Sequence, residues 1–398
     1  MSIPARVQTD WRAVLAATFC GVAVAVSIGK VPIAMPQLRA EFGLSLVAAG
    51  WVASMINMLG VTTGLVFGML GDRVGALRMC FFGLAFCAIG GLAAVFADKE
   101  MLLLLSRFLE GAGVLCVAVS APALLSAASI PNDRRFALGI WSSYLPAGVG
   151  LIMLLAPLVT PAGGWRGLWW VAIGFALVAG LTLFLCRAAY RLPAPVHADA
   201  HAFVAARDAL AQPAPWLLAL AMASFTVQHY ALIIWLPTIL KEQRELSPLA
   251  VSLLSCLMVL VSVPGTVLGG HLLQRHFRRS NLIAGASLVT GLSGACIFLD
   301  LFPDLVRYAF CLVLSFIGAL IPAAVLSASA TFARTPKQIS TLQGLFTQFS
   351  NLGPFFGPPI IAMLVSASGS WRDALWVTGS AALIGVALGL RLRAYERG

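Results

Sequence analysis

Three ionisable side chains lie in stretches that are otherwise apolar: Lys30, Arg107 and Glu110. If the surrounding segment is helical, Arg107, Glu110 and Gly111 share one face, because residues three and four apart are neighbours on a helix surface. A charge at membrane depth costs at least a few kcal/mol, so such residues face a partner or a cavity. Glu110 is the one acidic residue well inside an apolar run, which makes it the candidate for carrying a proton. The same Arg107–Glu110 spacing also suits a structural pair that only neutralises itself. Lys30 sits about four residues inside the end of its own run. It either reaches the depth of Arg107 or snorkels to the interface.

The second half offers polar groups without charge. Gln228, Trp235 and either Ala231 or Leu232 fall on one helix face. His229 is of the residue type that titrates near neutral pH, although a lone histidine in an apolar helix also serves as a hydrogen-bonded packing residue. Gln343, Thr347 and Asn351 recur at every fourth position, a stripe of the kind that joins membrane helices. Gly353-Pro354 and Gly357-Pro358 follow, and suggest a flexible gate. The eight cysteines form no Cys-x-x-Cys pair, so neither a zinc site nor a disulfide framework is indicated. No metal and no cofactor is expected. A phosphate-binding Gly-rich loop ending in lysine is also missing, so any transport would be secondary rather than ATP-driven.

The elements that must position these groups follow from composition. Of 398 residues 60% are hydrophobic and 10% charged, against roughly 25% charged in a soluble domain. A bilayer must therefore surround the chain. Its apolar runs are continuous rather than alternating, which excludes a barrel and leaves helices. Spans of about 20 residues are read near 12–36, 46–70, 79–97, 101–128, 137–160, 167–188, 216–240, 249–270, 281–299, 305–330, 341–367 and 373–391. The predicted fold class is an all-α polytopic membrane protein of twelve transmembrane helices in two pseudo-symmetric six-helix bundles.

The basic residues orient it. With the N-terminus inside, 17 of the 26 Arg and Lys residues fall on inner segments and 7 on outer ones, the other two being Lys30 and Arg107. By the positive-inside rule both termini are cytoplasmic. The net charge of +11 is thus topological and needs no nucleic-acid partner. Residues 189–215, rich in proline, read as a cytoplasmic linker between an N-terminal bundle, 1–188, and a C-terminal bundle, 216–398. The halves repeat at an offset of about two hundred residues. Pro36-Gln37 matches Pro237-Thr238. Gly68-Met69-Leu70-Gly71-Asp72-Arg73 matches Gly270-His271-Leu272-Leu273-Gln274-Arg275. Trp165-Arg166 matches Trp371-Arg372. Duplicated six-helix units are the plan of two-bundle transporters, whose site lies near the midplane between the repeats.

The loop Gly68-Met69-Leu70-Gly71-Asp72-Arg73-Val74-Gly75 resembles the signature loop of the major facilitator superfamily, departing from it at Ala76 and Leu77. The resemblance implies a gating role for Gly68, Asp72, Arg73 and Gly75, with the Asp and Arg as a charge relay. Gln274 replaces the acid in the second copy. Arg107-Phe108-Leu109-Glu110-Gly111-Ala112-Gly113 resembles a second motif of the same family. In the resembled fold the first, fourth, seventh and tenth helices line the cavity, which places Lys30, Arg107, Glu110, Gln228, His229 and Trp235 as candidates for binding substrate or proton; Gln343 and Asn351 of the polar stripe on the eleventh helix are candidates beside them. Two cations and one carboxylate there leave about one positive charge, which suits an anionic or zwitterionic solute. The run Trp235-Leu236-Pro237-Thr238-Ile239-Leu240 is similar to the seventh helix of the cyanate and nitroimidazole transporter branch.

The expected function is a secondary carrier for a small organic solute in the inner membrane, working by alternating access with protons, in contact with lipid and monomeric. Two alternatives stand beside it. One is a proton-driven efflux carrier for drugs or secreted metabolites such as siderophores, although Ala156-Pro157 replaces the Gly-rich end of the drug-antiporter signature. The other is a membrane sensor or enzyme in a transporter-like shell. The sequence offers neither the interfacial constellation an enzyme needs nor a segment long enough for a sensor domain.

Overall fold

The computed structural model describes residues 8–64, 74–190, 207–242, 244–333 and 336–396, and among these every regular element is a helix. Lipid cannot hydrogen-bond exposed backbone, so each segment must satisfy its own amides. Eleven helical stretches are long and apolar enough to span: Trp11–Phe42, Leu46–Gly64, Ala76–Val95, Glu100–Ala128, Tyr144–Leu185, Pro213–Glu242, Pro248–Gln274, Arg279–Phe298, Asp304–Leu326, Thr341–Ser368 and Trp371–Leu392. Tyr144–Leu185 has 42 residues, about 63 Å at 1.5 Å per residue and twice the hydrocarbon thickness. It is two helices meeting at Gly164, whose φ of 55° and ψ of −157° no helix contains. Divided there, into 144–163 and 165–185, the stretches number the twelve expected, and we label them α1 to α12 in chain order.

The sequence ends these helices with ordinary chemistry. Asp10 caps α1 by accepting from the Ala13 amide at 3.1 Å, and Ser45 caps α2 by accepting from the Ala48 amide at 3.1 Å. Between them Gly43, at φ 63°, terminates α1 in the left-handed conformation.

The chain forms two compact units. One comprises Met1–Leu44, Val66–His197 and Ser247–Cys256. The other comprises Ser45–Leu65, Ala198–Leu246 and Leu257–Gly398. The described part of α2 thus belongs to the second unit, and α8 is divided, with its first residues in the first unit and the rest in the second. In the first unit α1 packs along α5, α6 and α4, and α3 packs along α4 and α6. In the second, α7 packs on α11 and α12, and α9 on α10 and α12. The early part of α2 lies on α11, where Gln348 Nε2 donates to the Val61 carbonyl at 2.7 Å.

Small residues let these backbones approach, as dispersion-driven packing in lipid requires. A Cβ at Gly148 would stand 2.4 Å from the Val22 carbonyl oxygen, joining α5 to α1, and one at Gly113 would stand 2.4 Å from the Gly83 oxygen, joining α4 to α3. In the second unit a Cβ at Gly353 would stand 2.3 Å from Thr226, joining α11 to α7.

Each unit is tied at one end by the repeated Trp-Arg pair. Arg166 pairs with Glu41 of α1 at 2.7 Å and donates through Nε to the Val95 carbonyl of α3 at 3.0 Å, while Trp165 Nε1 donates to Glu41 at 2.6 Å. Arg372 pairs with Asp300, just beyond α9, at 3.2 Å, and Trp371 packs against Trp235 of α7 with ring centroids 5.6 Å apart.

These close approaches set an expectation. Gly113→Val and Gly353→Val should each cost several kcal/mol by forcing backbones apart, and should reduce the yield of monodisperse protein in detergent. Gly174→Ala, with nothing within 4 Å of its new Cβ, should match the parent in yield and in thermal unfolding.

Candidate functional site, a buried ion triad

Lys30 on α1 and Arg107 and Glu110 on α4 meet inside the first unit, and all three are fully buried. Glu110 is shared. Its Oε1 accepts from Lys30 Nζ and its Oε2 accepts from Arg107 Nη1. The i,i+3 spacing brings Arg107 onto the carboxylate along one helix face, as the sequence indicates. The snorkelling alternative for Lys30 does not hold, since its ammonium turns inward to α4.

The surroundings are built for this contact. Arg107 Nη1 also donates to the Ser27 carbonyl of α1 at 2.8 Å, so one guanidinium links both helices. The Lys30 ammonium lies over the Trp169 ring of α6, 4.4 Å from its centroid, a cation–π contact. Trp169 is itself fully buried. Gly90 and Gly91 of α3 leave room for the acid. A Cβ at Gly90 would stand 2.9 Å from Glu110 Cγ, and one at Gly91 would stand 3.5 Å from Glu110 Oε1. Four helices therefore enclose the triad. Sequence reading missed Trp169, Ser27 and the glycine pair. Gly90-Gly91 inside an apolar run was the available signal, because adjacent glycines in a membrane helix mark a close neighbour.

With all three groups ionised, two cations and one carboxylate leave one positive charge. A buried pair is stable only when its remaining hydrogen-bonding capacity is met. Here the carboxylate uses both oxygens, and the surplus cation is offset by the indole face and the Ser27 carbonyl.

The C-terminal candidates do not gather in one place. His229 is buried and lies 3.0 Å from Ser315 Oγ of α10, stacked on Phe225 with centroids 5.3 Å apart. That is the hydrogen-bonded packing role. Trp235 donates to the Pro358 carbonyl of α11 at 3.3 Å. Gln343 donates to the Leu326 carbonyl at 2.9 Å and to Ser329 at 2.8 Å. Asn351 donates to the Thr347 carbonyl at 2.8 Å and packs against Gly60 of α2. Gln228 is fully buried. Its Nε2 donates to the Ser224 carbonyl at 3.3 Å, and its Oε1 has no hydrogen-bond partner among the described residues. Of the loop candidates Gly75 is described, at φ 92° just before α3, where only glycine is unstrained. Gly68, Asp72 and Arg73 lie outside the described residues. Among the described residues no group of His, Cys, Asp and Glu could hold a metal ion.

Twelve helices in two compact units, with charge buried among them, define a multi-pass helical membrane protein of the secondary-transporter class. The chain belongs to the Major Facilitator Superfamily, whose family model matches residues 17–346. It is 25% identical over 387 residues to a protein of Cupriavidus necator named "Probable sulfoacetate transporter SauU", covering 90% of this chain and 87% of that one. It is 29% identical over 177 residues to the "Lincomycin resistance protein" of Streptomyces lincolnensis, covering 44% of this chain and 36% of that one. The crystal structure of a bacterial homolog of the human lysosomal transporter Spinster, inward-facing and unoccupied, superimposes with a TM-score of 0.80 at 18% identity, over 98% of each chain. The family and its relatives make this chain a transporter of small solutes, not an enzyme.

The triad predicts an order of stabilities. Glu110→Gln should be the most damaging single change, at about 3–5 kcal/mol, because it leaves two buried cations facing each other. Lys30→Met should cost less, since Arg107 still holds the acid. The double variant Lys30→Met/Glu110→Gln should recover part of the loss. Thermal unfolding in detergent checks this, and additive single effects would contradict a shared carboxylate.

Proposed function

We propose that this protein carries a small organic anion, or a zwitterion with an exposed carboxylate or sulfonate, across the inner membrane together with protons. The observation that carries the reading is Glu110 held by both Lys30 and Arg107. An arriving anion competes with Glu110 for one of the two cations. Released from that cation, which now holds the substrate, the acid becomes able to take up a proton. Anion and proton then move in one cycle. The likeness to a protein named for sulfoacetate supports the solute class. The partial likeness to a lincomycin resistance protein is the observation favouring the second reading, an efflux carrier.

In the C-terminal half, Gln228 is the candidate to touch the solute, because its buried Oε1 retains an open acceptor. His229, Trp235, Gln343 and Asn351 hold α7 and α11 in register through the bonds described above. The halves 1–188 and 216–398, joined by the linker 189–215, act as the moving parts of an alternating-access cycle. Asp72 and Arg73 serve as the relay of the gating loop. Protein and lipid suffice for this mechanism, and a monomer is the working unit.

Two measurements test the reading. In proteoliposomes with a pH difference, the wild type should concentrate a sulfonate or carboxylate solute. Glu110→Gln and the double variant Lys30→Met/Glu110→Gln should still exchange labelled solute in counterflow but should not concentrate it. Accumulation driven by pH in Glu110→Gln would remove the acid from the coupling role. For orientation, reporter fusions at Pro195 and at Gly398 should both report the cytoplasm. The uneven distribution of arginine and lysine predicts this result, and a periplasmic signal at either site would overturn it.

A further inference from the structure

The turn between α8 and α9 is the second copy of the signature loop, and it has lost that loop's acid: Gln274 stands where Asp72 stands in the first copy. What remains is a run of exposed groups, Arg275, His276, Phe277 and Arg278. The run is not loose. The Phe277 amide donates to the Leu272 carbonyl at 3.1 Å and the His276 amide to the Leu273 carbonyl at 3.1 Å. His276 closes the turn at φ 63°, a conformation side-chain-bearing residues rarely adopt. These bonds fix the backbone that carries Arg275, Phe277 and Arg278.

The basic residues here divide sharply by what they touch. Arg279 is spent on the protein, donating to the Ala324 carbonyl at 2.8 Å and to Thr331 at 3.0 Å. Arg393 donates to Asn281 at 3.1 Å, and the Glu396 carboxylate accepts from Ser280, at 2.6 Å from its hydroxyl. These bonds tie the end of α12 to the start of α9. The guanidinium groups of Arg275, Arg278 and Arg391 are exposed and have no partner among the described residues. Three exposed cations at the end of a membrane bundle, beside an exposed apolar ring and with the Glu396 carboxylate already engaged, leave positive charge available to an external anion.

We propose that the α8–α9 turn, with Arg391 at the end of α12, binds the phosphate of an anionic phospholipid. Phe277 enters the acyl boundary beside that phosphate, as aromatic rings do at the interface. The inference goes beyond the transport reading and does not depend on which solute is carried.

The test titrates phosphatidylglycerol into the full-length protein in neutral detergent and follows thermal unfolding. Each surface arginine contributes about fivefold to anionic-lipid affinity, so Arg275→Ala/Arg278→Ala/Arg391→Ala should raise the apparent Kd by roughly a hundredfold. Arg12→Ala/Arg134→Ala/Arg187→Ala, which removes three exposed cations from the first unit, should bind within a fewfold of the wild type. Phosphatidylcholine should not stabilise, and inorganic phosphate at equal concentration should not compete. Equal loss in both triple variants would mean diffuse charge rather than a site. Unchanged affinity in the first variant, or displacement of lipid by inorganic phosphate, would equally overturn the proposal.

Discussion

A carboxylate enclosed by four helices and shared between two cations constrains everything around it. Glu110 is fully buried, so its carboxylate requires a donor on each oxygen, and it finds them on α1 and on its own helix. The donors require support in turn. Trp169 on α6 lies over Lys30, and the Ser27 carbonyl of α1 receives Arg107. The acid needs space, and Gly90 and Gly91 of α3 supply it. Four of the six helices of the N-terminal half are thereby fixed in depth and rotation by one interaction, while the close glycine contacts fix their separation.

Among its described residues the C-terminal half buries no charged side chain. Its interior polar groups are neutral and mostly satisfied pairwise: His229 with Ser315, Gln343 with Ser329, Trp235 with the Pro358 carbonyl. Such bonds contribute modestly, on average about 0.6 kcal/mol each in membranes, so this half relies on backbone approach at Gly353 and Gly389 for most of its cohesion. The duplication has kept its rim, where Trp165-Arg166 and Trp371-Arg372 still tie helix ends, and has let its interiors diverge.

Much of this was legible in the sequence. Helices follow from continuous apolar runs, and the pairing of Arg107 with Glu110 follows from their spacing. The break at Gly164 was implied by the gap between the spans read near 137–160 and 167–188. Partners supplied by other helices were not legible. Nothing in the periodicity of α1 says that Lys30 turns to α4 rather than to the interface, because that choice depends on where α6 places Trp169. Gln343, Thr347 and Asn351 form one stripe by spacing, yet Gln343 bonds the end of α10 while Asn351 meets Gly60 of α2. A stripe fixes a direction from its own axis and does not say how many neighbours lie along it.

The unbalanced charge of the triad has an electrical meaning. A membrane potential acts on any charge held within the hydrocarbon, at about 2.3 kcal/mol per elementary charge for a full crossing at 100 mV. Lys30, Arg107 and Glu110 together present one net positive charge when all are ionised. The empty transporter therefore carries a charge that voltage pulls on whenever the N-terminal helices shift along the membrane normal. In the proposed cycle a bound monoanion arrives with the proton that Glu110 takes up, so the loaded triad would keep the same single positive charge. Voltage would then act alike on the empty and loaded steps, so the potential would bias which way the carrier faces without itself driving accumulation.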